Sequence, residues 1–137
     1  AEAGLLLTRV EYLKPSRVAG QPNYAVVDAA MNDLIRPALY QAYHRVVSVG
    51  SDVQDSCRWD IVGPICESGD FLALQRDLDL SEDSLLAILS TGAYGFVQSS
   101  NYNTRTRSAE VMIRDNDMWL VRDRESIDDL LRHERVW

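Results

Sequence analysis

Arg36 and Tyr40 stand four residues apart in the segment 28–40 (DAAMNDLIRPALY). Across one helical turn that spacing puts both side chains on the same face. A guanidinium with a phenol beside it can hold a carboxylate, because arginine offers a planar fork of donors. The competing reading is a surface arginine next to a packed tyrosine. A second cluster, residues 63–70 (GPICESGD), ends a strand-like run at a Gly-Pro break and then presents the thiol of Cys66 with the carboxylates of Glu67 and Asp70. Loops set on rigid strands are a usual place for functional groups. A thiol can deliver a proton and a glutamate can bind an ammonium. Equally, a cysteine can be a small buried hydrophobe with solvated acids beside it. In a third cluster, residues 90–96 (STGAYGF), Tyr94 lies between Gly92 and Gly95. Glycines let a backbone come close to a ligand, so the Tyr94 ring can lie against a cofactor and its hydroxyl can reach a phosphate or carboxylate. The plainer alternative is a core aromatic flanked by glycines. The fourth cluster, residues 99–107 (SSNYNTRTR), is polar and compatible with an ordinary loop.

These clusters need elements to position them. Residues 5–13 (LLLTRVEYL) have the partial alternation of a strand, residues 15–22 (PSRVAGQP) read as a loop, and residues 24–28 (YAVVD) as a short buried strand. Pro37 suits the first turn of a short helix, where its missing N–H costs nothing. Residues 45–49 (RVVSV) and 59–62 (WDIV) are further strands, the second broken by Gly63-Pro64. Residues 84–89 (SLLAIL) fit strand or helix by pattern; their short length and Gly92 favour strand. Residues 110–113 and 118–121 flank the polar stretch 114–117 as a hairpin. The tail reads as helical: Ser126 can cap it, Asp128 and Asp129 suit its first turn, and Ile127, Leu130 and Leu131 share an apolar face. Many short strands between Gly/Pro breaks predict a mainly β fold, a compact β-barrel or sandwich with one or two short helices. One domain over residues 1–137 is expected. The chain opens directly in a strand, without cap or turn, which suggests a piece of a longer protein.

Composition narrows the function classes. The 137 residues carry 14 basic and 21 acidic side chains, a net charge of −7. Phosphate neutralisation needs clustered Lys and Arg, so no nucleic-acid partner is expected. No apolar run approaches the roughly 20 residues that span a bilayer, and residues 1–10 lack the basic flank of a signal peptide. No membrane association and a cytoplasmic location with free thiols are expected. Cys57 and Cys66 are not in a CxxC arrangement, and His44 and His133 are isolated, so no metal site is expected. The chain has thirteen arginines and a single lysine, Lys14. An enzyme that holds its cofactor on a lysine must supply one. Lys14, at the end of a strand and before Pro15, is the one candidate, and an exposed strand-end lysine is the plainer reading.

Taken together, the stretches AGLLLTRVEYLK, VVDAAMNDLIRPALYQAYH, DIVGPICESGDFLA, TGAYGF and SSNYNTRTRSAEV resemble, in order and over nearly the whole chain, diaminopimelate decarboxylases. That fold family also holds eukaryotic ornithine decarboxylases. The resemblance implies an enzyme built from an N-terminal (β/α)8 barrel and a C-terminal β domain, with this chain as the β domain. It implies pyridoxal 5'-phosphate as cofactor, with the Schiff-base lysine and the glycine-rich phosphate site on the barrel, outside this chain. It implies that Cys66 gives a proton to the carbon that loses carbon dioxide, and that Glu67 binds the far amino group of diaminopimelate. Arg36 and Tyr40 would hold the far carboxylate, and Tyr94 would contact both cofactor and substrate. It further implies a homodimer whose Cys-Glu loop reaches a partner subunit's site, and an isolated chain that is inactive and prone to self-association. The sequence departs from the family at Thr106, where proline is usual, and at Val97 and Gln98; none of these is given a role. Two alternatives accompany this reading: a related decarboxylase acting on carboxynorspermidine, and a non-catalytic decarboxylase-like module that binds subunits. Ornithine and arginine lack the far carboxylate that Arg36 and Tyr40 would read.

Overall fold

A computed structural model describes residues 2–50, 55–135 and 137. In chain order the elements are β1 (Leu5–Lys14), β2 (Asn23–Val27), α1 (Arg36–Tyr40), β3 (Val46–Ser48), β4 (Cys57–Val62), β5 (Phe71–Leu78), β6 (Leu85–Leu89), β7 (Glu110–Arg114), β8 (Asp117–Arg122) and α2 (Ile127–Leu131). Six strands form one sheet in the order β3-β6-β1-β2-β4-β5, antiparallel throughout except for the parallel β2–β4 pair. The sheet curls until its edges meet: the Ser48 hydroxyl of β3 donates to the Asp79 carbonyl just past β5 (3.2 Å), and the Arg76 guanidinium of β5 donates to the His44 carbonyl just before β3 (3.4 Å). The expected barrel-like β architecture with two short helices is what the chain adopts.

Apolar side chains from alternate strand positions fill the interior. Val10, Val27, Ile61, Leu72, Leu86 and Ile88 are fully buried, and Leu34 joins them from the loop before α1. Each such side chain is worth about 1.5–3 kcal/mol in burial alone. Bulges interrupt the alternation. The pairing of β1 with β2 slips between Val10 and Tyr12, and that of β4 with β5 slips around Ile61. Such bulges sharpen the local twist that a closing sheet needs.

The sequence reading places most strands within a residue or two but gives none at β5. Its run, FLALQRDL, buries Leu72 and Ala73 in succession. Gln75 then turns to a left-handed φ of 57°, its N–H bonded to Asp60 Oδ1 at 2.7 Å. A bulge of that kind breaks the period-2 signal on which strand recognition depends.

The expected hairpin forms as β7 and β8, with Asp115 left-handed in its turn. It is a separate two-stranded sheet, and its side chains are exposed except for half-buried Glu110. The segment after it is tied back by Glu125, whose carboxylate takes the Arg107 guanidinium (2.8 Å) and the Arg107 N–H (2.9 Å). Ser126 caps α2 as expected, in a reciprocal box with Asp129. Ile127 and Leu131 of its apolar face are more than half exposed. Among the described residues no helix is long and apolar enough to cross a membrane.

Candidate active site

The site is built just beyond Val26 and Val62, the last paired residues of β2 and β4, which run side by side. Past β2, the Asp28 carboxylate takes the Thr8 hydroxyl (2.5 Å) and the Arg9 N–H (2.9 Å), and the Thr8 hydroxyl takes the Ala29 N–H (3.0 Å). A turn follows in which Asp33 Oδ2 accepts from the Ala30 N–H at 2.9 Å and Leu34 drops into the core. Burial pushes the Asp33 carboxyl above its ordinary range, against the opposing effects of the Ala30 N–H and of Arg105 and Arg124. Anchored there, the chain enters α1 with buried Pro37 in its first turn, and Gln41 ends the helix in a left-handed conformation.

The single helical turn of α1 sets Arg36 and Tyr40 side by side, the guanidinium carbon 5.8 Å from the centre of the Tyr40 ring. Tyr94 arrives from a different part of the chain, and its ring centre is 5.6 Å from the same guanidinium. Tyr94 is 58% exposed and has a left-handed φ of 62°. It is therefore not the core aromatic of the plainer reading, and a bulky residue in that conformation is uncommon. Its neighbour Gly95 is required by the protein itself: a Cβ there would sit 2.1 Å from the Thr91 carbonyl oxygen.

The Cys66 loop is held by the buried carboxylate of Asp70. Asp70 Oδ2 accepts from the Ile65 N–H (2.6 Å) and Oδ1 from the Met31 N–H (2.7 Å), joining the loop to the turn that precedes α1. The same carboxylate fills the space where Gly63 would carry a Cβ, only 2.4 Å away. Gly69 lies against Met31 and Ala38, so the loop packs on α1. With Ile65 buried as a plug and Asp70 beneath it, Cys66, Glu67 and Ser68 are left exposed. The Cys66 thiol is free and exposed, not a core hydrophobe.

Sequence reasoning missed a residue here. The Tyr102 hydroxyl, 35 residues further along the chain, donates to Glu67 Oε1 at 2.5 Å. That bond and the Glu67 charge raise the Tyr102 phenol above its ordinary range. A tyrosine in a polar loop carries no local pattern to mark it; only the fold brings it to Glu67. Lys14 is exposed at the far end of β1, paired with Tyr24 at the start of β2. The Cys66 loop leaves from the opposite end of these strands, about 10 Å further along them. Among the described residues no group of His, Cys, Asp and Glu is placed to hold a metal ion.

Residues 2–92, more than half of the chain, match the family model described as pyridoxal-dependent decarboxylase, C-terminal sheet domain. The diaminopimelate decarboxylase of Pseudomonas aeruginosa is 57% identical over 99% of this chain and 32% of its own length. That of Vibrio cholerae is 52% identical, with the same coverage. The crystal structure of diaminopimelate decarboxylase from M. jannaschii in co-complex with L-lysine superposes with a TM-score of 0.92 at 36% identity, over 99% of this chain and 31% of that one. The chain thus spans about a third of the length of the relatives it matches. In matched residues, identity and fold, it belongs to the pyridoxal-dependent decarboxylases, as the family's C-terminal sheet domain.

Proposed function

We propose that this chain supplies the substrate-reading and proton-donating groups of a decarboxylase that converts meso-2,6-diaminopimelate to L-lysine and carbon dioxide. The observation that carries the reading is the convergence of Arg36, Tyr40 and Tyr94, beside a loop that presents Cys66 and Glu67 and is locked to the same turn through Asp70.

Pyridoxal phosphate fits this arrangement on one side only. Tyr94 offers an exposed ring to lie against it, and Cys66 offers an exposed thiol to the bound substrate. The covalent anchor must come from outside this chain, because Lys14 stands at the wrong end of the sheet. When bound, the cofactor supplies the electron sink that lets an α-carboxylate leave as carbon dioxide. This chain's residues do the remaining work. Arg36 and the Tyr40 hydroxyl hold the far carboxylate of the substrate, which fixes the reacting end in register. Glu67 takes the far ammonium. Cys66 Sγ gives its proton to the carbon that the carboxylate leaves and regains one from solvent. Tyr94 orients cofactor and substrate together. The Cys-Glu loop is exposed and free to serve a site completed by a second subunit; we read the working unit as a homodimer with shared sites, and its place as the cytoplasm.

Selectivity follows from the Arg36–Tyr40 pair, since a site built to bond a polar group strongly rejects analogues that lack it. The test is steady-state kinetics of the full-length protein with meso-diaminopimelate, L-lysine and L-ornithine. Diaminopimelate is the expected substrate, and Arg36→Met lowers its kcat/KM by about 100-fold or more, as loss of a bidentate charged contact should. Faster turnover of ornithine or lysine, or an Arg36→Met variant as efficient as the wild type, contradicts the proposal.

A further inference from the structure

The loop that carries Glu67 and the segment that carries Tyr102 are far apart in sequence, yet both hang from one turn. The Met31 N–H holds Asp70 beneath the Glu67 loop. The next residue, Asn32, is buried and holds the Tyr102 segment on both sides. Its carbonyl accepts from the Ser100 N–H (2.9 Å), its amide donates to the Ser100 carbonyl (3.2 Å), and its Oδ1 accepts from Arg105 Nε (2.9 Å). Between those two tethers the chain makes a tight turn. The Tyr102 N–H reaches Ser100 Oγ (3.3 Å) and the Asn101 amide reaches the Arg105 carbonyl (3.0 Å). Asn103 and Thr104 are both left-handed, with φ of 59° and 57°. A β-branched residue such as threonine adopts that conformation only where its surroundings impose it.

This framework aims the Tyr102 hydroxyl at Glu67 Oε1, a 2.5 Å bond between two side chains that are otherwise on the surface. A carboxylate has about four lone-pair sites, so one phenol bond fixes its direction and leaves it able to accept an ammonium. The raised phenol keeps Tyr102 the donor and Glu67 the acceptor.

We infer that Tyr102 is the positioning residue for Glu67, holding its carboxylate where the far ammonium of the substrate meets it. This rests on the reading of Glu67 as the ammonium-binding group, and it assigns Tyr102 a part in substrate recognition and none in the proton transfer.

The experiment is a double-mutant cycle in the full-length protein: wild type, Tyr102→Phe, Glu67→Ala and the double variant, each assayed with meso-diaminopimelate and by thermal melting. Tyr102→Phe keeps the half-exposed ring and removes only the hydroxyl. The expected result is a KM raised about tenfold by Tyr102→Phe, with kcat within about twofold of wild type and an unchanged melting temperature. In the Glu67→Ala background the same substitution adds less than about twofold, because the partner is already gone. An unchanged KM, an equal effect in both backgrounds, or a joint fall of kcat and melting temperature with KM constant overturns the inference while leaving the decarboxylase reading in place. A wild-type protein that does not turn over diaminopimelate overturns both.

Discussion

Three carboxylates show how surroundings assign different tasks to one chemical group. Asp70 is buried, and its two oxygens join two loops through backbone N–H groups. Glu67 is exposed and touches a single phenol. Glu125 clamps the base of the hairpin, taking the Arg107 guanidinium and N–H and the Asn101 amide (2.6 Å), and these bonds, with the Arg107 side chain first among them, lower it from an ordinary 4.5 to about 2. Because its folded value lies below its unfolded one, the ionised form stabilises the fold at neutral pH. That contribution is fully present above about pH 4.5 and fades as pH falls through about 2. Urea unfolding of wild type and Glu125→Gln across this window checks it. The wild type is expected to lose its advantage over the variant as pH falls, whereas a constant difference from pH 5 to pH 2 contradicts the role of Glu125. At this scale the sequence was legible in part. The four-residue spacing of Arg36 and Tyr40 follows from local pattern, whereas the pattern around Cys66 fits a buried or an exposed thiol equally and the fold decides for exposed. The Tyr102–Glu67 bond and the Asn32 tethers span 35 to 73 residues and leave no mark in any short window.

Among the elements, those with a strong local signal were readable. β1, β2, β4, the Pro37 turn of α1, the hairpin turn and the Ser126 cap all carry it within a few residues. β5 does not, since its irregular pairing with β4 leaves Leu72 and Ala73 both inside and Leu74 and Gln75 both outside. Nor can the meeting of β3 with β5 be read from either strand, because closure is a property of the whole sheet. The hairpin poses a different problem, because both of its faces are open. Ile113 and Met118 are each 72% exposed, and Val111, Met112, Leu120 and Val121 accompany them. Exposed apolar strands of this kind pair with other surfaces. Sedimentation of the 137-residue chain at micromolar concentration is expected to show concentration-dependent association, reduced when Ile113 and Met118 are both changed to lysine. A clean monomer for the unsubstituted chain contradicts that expectation.

Seen whole, the molecule is a curled sheet whose rim carries the candidate site. The core fixes the ends of β2 and β4, the turn at Met31 and Asn32 distributes that rigidity to two loops and a helix, and the exposed side chains at the rim face outward. Proposed roles for those side chains require the other two thirds of a protein the length of its relatives, which must hold the cofactor and receive the thiol. The most direct test is carbon dioxide release from meso-diaminopimelate by the full-length protein carrying Cys66→Ala, with cofactor binding followed by absorbance. The expected result is retained cofactor and a kcat reduced about 100-fold or more, the usual cost of losing a positioned proton donor. A Cys66→Ala protein that binds the cofactor and turns over at the wild-type rate would contradict the assignment of this rim to the chemistry.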